Sequence, residues 1–120
     1  MEQRELEKLD VKPYIGTKTK IENATVINTQ YGLAVKVETY PLADLKEGKK
    51  LRASCILAIM TDDDGINFIG IDTKLHKFLM SKKVLIETIP DVVEGSSVLE
   101  LHDKDVIVQL NARTGFLDLI

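Results

Sequence analysis

Residues 21–60, IENATVINTQYGLAVKVETYPLADLKEGKKLRASCILAIM, decide how this chain folds. Within it, Leu33-Ala34-Val35-Lys36-Val37-Glu38-Thr39 places apolar side chains at alternate positions, with Ala34, Lys36 and Glu38 on the other side. That period of two is the pattern of a half-buried strand. The preceding Ile21 to Thr29 is rich in Ile, Val and Thr, and Gln30-Tyr31-Gly32 supplies the glycine that a tight reversal needs. The two runs are expected to pair as a hairpin. After Pro41 and the turn Glu47-Gly48-Lys49-Lys50, Leu51 to Met60 gives a third run. Ala53, Cys55, Leu57 and Ile59 form one face; Arg52, Ser54, Ile56, Ala58 and Met60 form the other, which loses its polar character halfway. Apolar character on both sides predicts a central strand covered on both faces.

The flanking segments are shorter. Leu6 and Leu9 sit three apart among charges, which suits a short N-terminal helix or a frayed extension over residues 1–12. Lys12-Pro13 breaks it, and Tyr14 with Ile15 leads into the first strand. Thr61-Asp62-Asp63-Asp64-Gly65 reads as a turn. Ile66 to Ile71 reads as a strand. Thr73 to about Ser81 reads as a helix capped by Asp72 or Thr73, with Leu75, Phe78 and Leu79 on one side and Lys82 and Lys83 at its end. Val84 to Ile89 is expected as a strand and Asp91 to Gly95 as a single helical turn. Ser97 to His102 and Val106 to Leu110 are expected to form a second hairpin around Asp103-Lys104-Asp105. Residues 115–120, GFLDLI, are either a terminal strand or a run that a partner covers.

The chain has 120 residues, which suits one domain spanning residues 1–120 with a core that needs no metal or cross-link. No apolar run approaches the roughly 20 residues of a membrane span, and the charged N-terminus does not resemble a signal peptide, so a soluble cytoplasmic protein is expected. The lone Cys55 has no disulfide or zinc partner and reads as a buried structural thiol. Charge is unevenly spread. Residues 1–83 hold 14 Lys plus Arg against 12 Asp plus Glu, a net of +2, while residues 84–120 hold 2 against 7, a net of −5. Any anion-binding face is expected in the first two thirds.

Short strands with turn signals and one internal helix point to a mainly β protein, a small closed or nearly closed β-barrel. Pro13-Tyr14-Ile15-Gly16 leading into Lys20-Ile21, Gln30-Tyr31-Gly32 with Val35-Lys36-Val37, Leu51-Arg52-Ala53-Ser54, and the helix Lys74-Leu75-His76-Lys77-Phe78-Leu79 carry a resemblance. Over roughly residues 13 to 110 the chain resembles the oligonucleotide/oligosaccharide-binding barrels, within them the single-stranded DNA-binding modules of the archaeal and replication-protein-A-like kind. One departure is the strand expected at Ile66 to Ile71, since the usual helix follows the third strand directly. The resemblance implies a binding face across the second and third strands, with room left by Ala34 and Ser54, phosphate contacts from Lys36 and Arg52, and base stacking on Tyr31, Tyr40 or Phe68. Lys18, Lys20, Lys49 and Lys50 would lie near the same surface if the meander curls.

The expected function is therefore non-catalytic binding of single-stranded nucleic acid, DNA ahead of RNA, with no cofactor. Each of these residues also has a plainer reading, as a solvent-facing strand or loop position. The rival reading is an adaptor that docks a protein partner, or another copy, through a sheet edge or the C-terminal run. A third gives Asp62, Asp63 and Asp64 a divalent metal for nuclease chemistry. Turn formation explains those aspartates more simply. Asp72 and His76, four apart, read as a surface pair, and His102 has no nucleophile beside it in sequence.

Overall fold

The computed structural model describes residues 10–85 and 93–120. The expected helix or extension before residue 10, the later part of the strand expected at Val84 to Ile89, and Asp91 and Val92 of the helical turn expected at Asp91 to Gly95 lie outside the described residues; Glu94 and Gly95 form a turn. Val84 and Leu85 themselves are not in a strand.

Among the described residues the protein is mainly β, with one α-helix. Strand β1 (Lys18–Thr29) and β2 (Gly32–Thr39) form the expected antiparallel hairpin, with Thr29 opposite Gly32 and Val26 opposite Val35. Thr29 closes its turn by donating to the Gly32 carbonyl at 2.8 Å and accepting from the Tyr31 amide at 3.1 Å. Gly32 has φ +114°, a conformation that a side chain would strain. Near the other end of the ladder the register slips between Ile21 and Asn23. Glu22 is the extra residue of this bulge, and the inward positions become Ile21, Ala24 and Val26.

The third run is broken into β4 (Lys50–Leu51), β5 (Ser54–Ala58) and β6 (Met60–Thr61), with β4 paired to the short β3 (Ala43–Asp44). Only β5 joins the main sheet, antiparallel to β2 with Val37 opposite Cys55. The expectation of a central strand is corrected: β5 ends the five-stranded sheet, and Ile56 is 55% exposed. Apolar residues on both faces here mean one buried face and one uncovered one. The Ile66 to Ile71 strand shrinks to β7 (Asn67–Phe68), which folds back on β6 as a side hairpin around the Asp62 turn. Asp62 Oδ1 accepts from the amides of Asp64 and Ile66, both at 2.9 Å, so the aspartate-glycine stretch makes the turn its composition predicts.

Helix α1 (Lys74–Ser81) follows, capped by Thr73, whose hydroxyl accepts from the His76 amide at 3.3 Å. Its Leu75, Phe78 and Leu79 are buried, as their spacing predicts. The second hairpin does not form. Leu99–Leu101 is a single 3-10 turn, Ser97 bridges Thr25 of β1, and β8 (Asp105–Leu110) pairs instead with β1 and with β9 (Leu117–Leu119). The apolar C-terminal run thus becomes the strand at the other end of the sheet, with Leu117 and Leu119 buried.

The main sheet runs β5-β2-β1-β8-β9, all antiparallel. Its inward face, with Ile21, Val37, Leu57, Val106, Val108 and Leu119, packs on α1 as one core. The two end strands, β5 and β9, approach to Cα separations within 8 Å. No backbone hydrogen bond joins them among the described residues.

Candidate nucleic-acid interface

Because Val35 and Val37 pair inward with buried neighbours, the alternate residues of β1, β2 and β5 make the outer face of the meander. The register sets them in rows: Asn23, Glu38 and Ser54; Thr25, Lys36 and Ile56; Ile27, Ala34 and Ala58. Lys36 thus stands at the middle of this face, half-buried, and has no ion-pair partner among the described residues. Glu38 stands beside it along β2.

Toward the hairpin-tip end of the face the chain places two exposed rings. The Ile59 amide donates to the Leu33 carbonyl at 3.0 Å, carrying the β2–β5 alignment on toward the hairpin tip. Tyr31 projects from that tip, 91% exposed, while Phe68 sits across from Met60 in the β6–β7 hairpin, and both of these are partly exposed. Ile56 lies in the middle row, opposite Lys36. Tyr31 and Phe68 are the two predicted stacking residues toward this end, and Lys36 stands one row further in, past Ala34.

The other end of the face is built differently, because its cations are held by carboxylates. Arg52 forms an ion pair with Glu22 and donates to the Thr39 carbonyl at 3.0 Å. The β1 bulge places Glu22 for this contact, and each partner's side chain is 28% exposed. Lys20 lies 3.2 Å from Asp105, and Lys50 pairs with Asp44. Tyr40 donates its phenol hydrogen to Asp103 Oδ1 at 2.6 Å, and this hydrogen bond, with smaller contributions from burial and from the charges of Asp103 and Glu22, raises its pKa. His102 donates to the Glu22 carbonyl at 2.9 Å and lies 3.5 Å from Asp103. Three of the six predicted cations, Lys20, Lys50 and Arg52, are thus internally paired, leaving Lys18, Lys36 and Lys49. Lys49 is exposed in the loop before β4, and Lys18 lies at the start of β1 opposite Ile107.

Other chemistry-bearing residues find structural employment. The His76 ring accepts from the Asp72 amide at 2.9 Å, so the pair is a turn contact rather than a carboxylate–imidazole couple. Among the described residues no three His, Cys, Asp or Glu side chains cluster to hold a metal, and no helix is long and apolar enough to cross a membrane. Cys55 is buried, and that burial, reinforced by Asp118, pushes its thiol up to about 12.

Sequence reasoning did not include Lys74, Lys77 and Lys82 in the candidate set. All three carry no ion pair among the described residues and line clefts beside β9. The three-residue spacing of Lys74 and Lys77 was the available signal, since it puts both on one side of a helix. Neither family models, curated proteins nor solved structures give a match to this chain.

Proposed function

We propose that the domain binds single-stranded nucleic acid, DNA ahead of RNA, on the outer face of β1, β2 and β5, by stacking more than by charge. The observation that carries this reading is a sheet face whose middle row holds the exposed Ile56 opposite Lys36, which has no ion-pair partner among the described residues, with the exposed rings of Tyr31 at the hairpin tip and Phe68 in the β6–β7 hairpin toward one end. Every base offers a flat π-face, so exposed rings beside a lysine on a strand surface suit a sequence-tolerant ligand. The strand order supports the oligonucleotide-binding barrel reading as well. A five-stranded, partly open Greek-key barrel presents its second and third strands to ligand, and here α1 lies in sequence between the meander and β8. With β6 and β7 forming a side hairpin, the departure from the usual helix position is reduced to an insertion.

Pairing of Arg52, Lys20 and Lys50 alters the expected energetics. With two or three phosphates neutralised on a single strand, affinity falls only about five- to twentyfold between roughly 50 and 200 mM salt. Fluorescence anisotropy with a mixed-sequence oligonucleotide at those two salt levels tests this. Saturable binding with that modest salt response supports the reading, and no binding at micromolar protein defeats it.

The adaptor reading retains one specific observation: among the described residues β5 pairs on one side only and carries the exposed Ile56, with Ile66 in the β6–β7 turn and Ile71 after β7 also exposed. Its other form, docking or self-association through the C-terminal run, has less support because Leu117 and Leu119 pack in the core.

A further inference from the structure

A second cleft lies away from the outer face of the meander. It has a volume of about 490 Å³ and is bounded by the start of β1, by β8, by Lys82 at the end of α1 and by Ile120. Lys18, Lys20 and Lys82 line it, with Asp105 as the lone acidic side chain among the lining residues. Asp105 is 3.2 Å from Lys20, which leaves the ammonium groups of Lys18 and Lys82 without an ion-pair partner among the described residues. Ile107 and Ile120 supply apolar wall.

Lys82 is placed for this by the end of its helix. Its stem runs over the Phe78 ring, with Nζ 5.3 Å from the ring centroid. Burial lowers the Lys82 pKa, opposed by the charges of Asp105 and Cys55. The last-turn carbonyls do not compete for it: Phe78 O accepts from Ser81 Oγ and the Lys82 amide, Leu79 O from the Val84 amide, and Met80 O from the Lys83 amide. Two lysines in one cleft, one of them partly withdrawn from water, favour a dianion, because Coulomb attraction strengthens as solvent is removed.

We infer that this cleft is a binding site for a phosphate monoester, with Lys18 and Lys82 holding the dianionic phosphate and Ile107 and Ile120 contacting the apolar body attached to it. The phosphate would come from a free small molecule or from the end of a nucleic-acid strand, and the two sources share this chemistry. The inference is independent of binding on the meander face.

The test is a backbone amide NMR titration of the full chain with phenyl phosphate, alongside inorganic phosphate and matched 5′-phosphorylated and 5′-hydroxyl oligonucleotides. Saturable shifts at Lys18 to Lys20, Lys82 and Asp105 to Ile107, with phenyl phosphate binding more tightly than inorganic phosphate, are expected. A preference for the phosphorylated oligonucleotide over the hydroxyl one identifies a strand end as the source; equal binding of the two identifies a free monoester. Lys18→Gln with Lys82→Gln, which keeps the stem over Phe78, is expected to weaken phenyl phosphate at least tenfold, whereas Lys49→Gln leaves it unchanged. Tyr31→Ala with Phe68→Ala removes stacking on the meander face yet leaves phosphate binding intact, so the two ideas fail separately. Non-saturating shifts, shifts spread evenly over the exposed lysines, or undiminished binding by the double Gln variant would overturn the inference.

Discussion

Arg52 shows how a side chain suited to phosphate is committed elsewhere by its neighbours. Its guanidinium meets Glu22 and the Thr39 carbonyl, where each ion-pair partner is largely shielded from water. Arg52→Ala leaves Glu22 without its cation, so it is expected to cost about 1–3 kcal/mol in a urea unfolding curve. Tyr40 is similarly engaged. Asp103 holds its phenol protonated above the ordinary value of 10.0, so this contribution to stability is fully present below pH 10 and is lost as pH rises through the higher folded-state value. Asp103→Asn should bring Tyr40 back toward the ordinary range, and phenolate absorbance followed with pH in variant and parent reads that directly. An unchanged titration would remove the hydrogen bond as the cause. The Cys55 thiol, buried and pushed up to about 12, is expected to resist a thiol reagent at neutral pH until the protein is unfolded.

Among the elements, α1 and the β1–β2 hairpin were legible because their determinants are local. Thr73, the spacing of Leu75, Phe78 and Leu79, and the glycine at the turn all lie within a few residues of what they specify. The edge position of β5 was not legible, since Ile56 and Met60 look the same in sequence whether a neighbour covers them or not. Nor was the pairing of β8, whose partners lie on β1, far back in the chain, and on β9. The bulge at Glu22 left only a faint trace, the three-residue step from Ile21 to Ala24. Thr73→Ala removes a helix cap and should cost about 1 kcal/mol, with Thr73→Ser recovering most of it in the same unfolding assay. Deleting residues 115–120 removes β9, including buried Leu117 and Leu119, and is expected to abolish cooperative unfolding. A truncated chain that stays folded and changes only its oligomeric state would return the C-terminal run to the adaptor reading.

At the scale of the whole molecule, the distribution of charge matters more than its sum of −3. The sequence placed cations in the first two thirds, but it could not show that Asp105, from the acidic remainder, would fold back against Lys20. Half of the predicted cationic set is paired, Lys20 with Asp105, Lys50 with Asp44 and Arg52 with Glu22, while the rings at Tyr31 and Phe68 keep their exposure. Lysines on α1 and at the start of β1 instead line clefts on another side. The central claim is thus that stacking on the meander face captures a strand. Comparing the oligonucleotide affinity of the parent protein with that of Tyr31→Ala/Phe68→Ala tests it most directly, because both side chains are exposed enough for the fold to survive. Two stacks at about 1–3 kcal/mol each predict a loss of about thirtyfold or more with the melting temperature unchanged. Equal affinity of the two proteins would contradict the account.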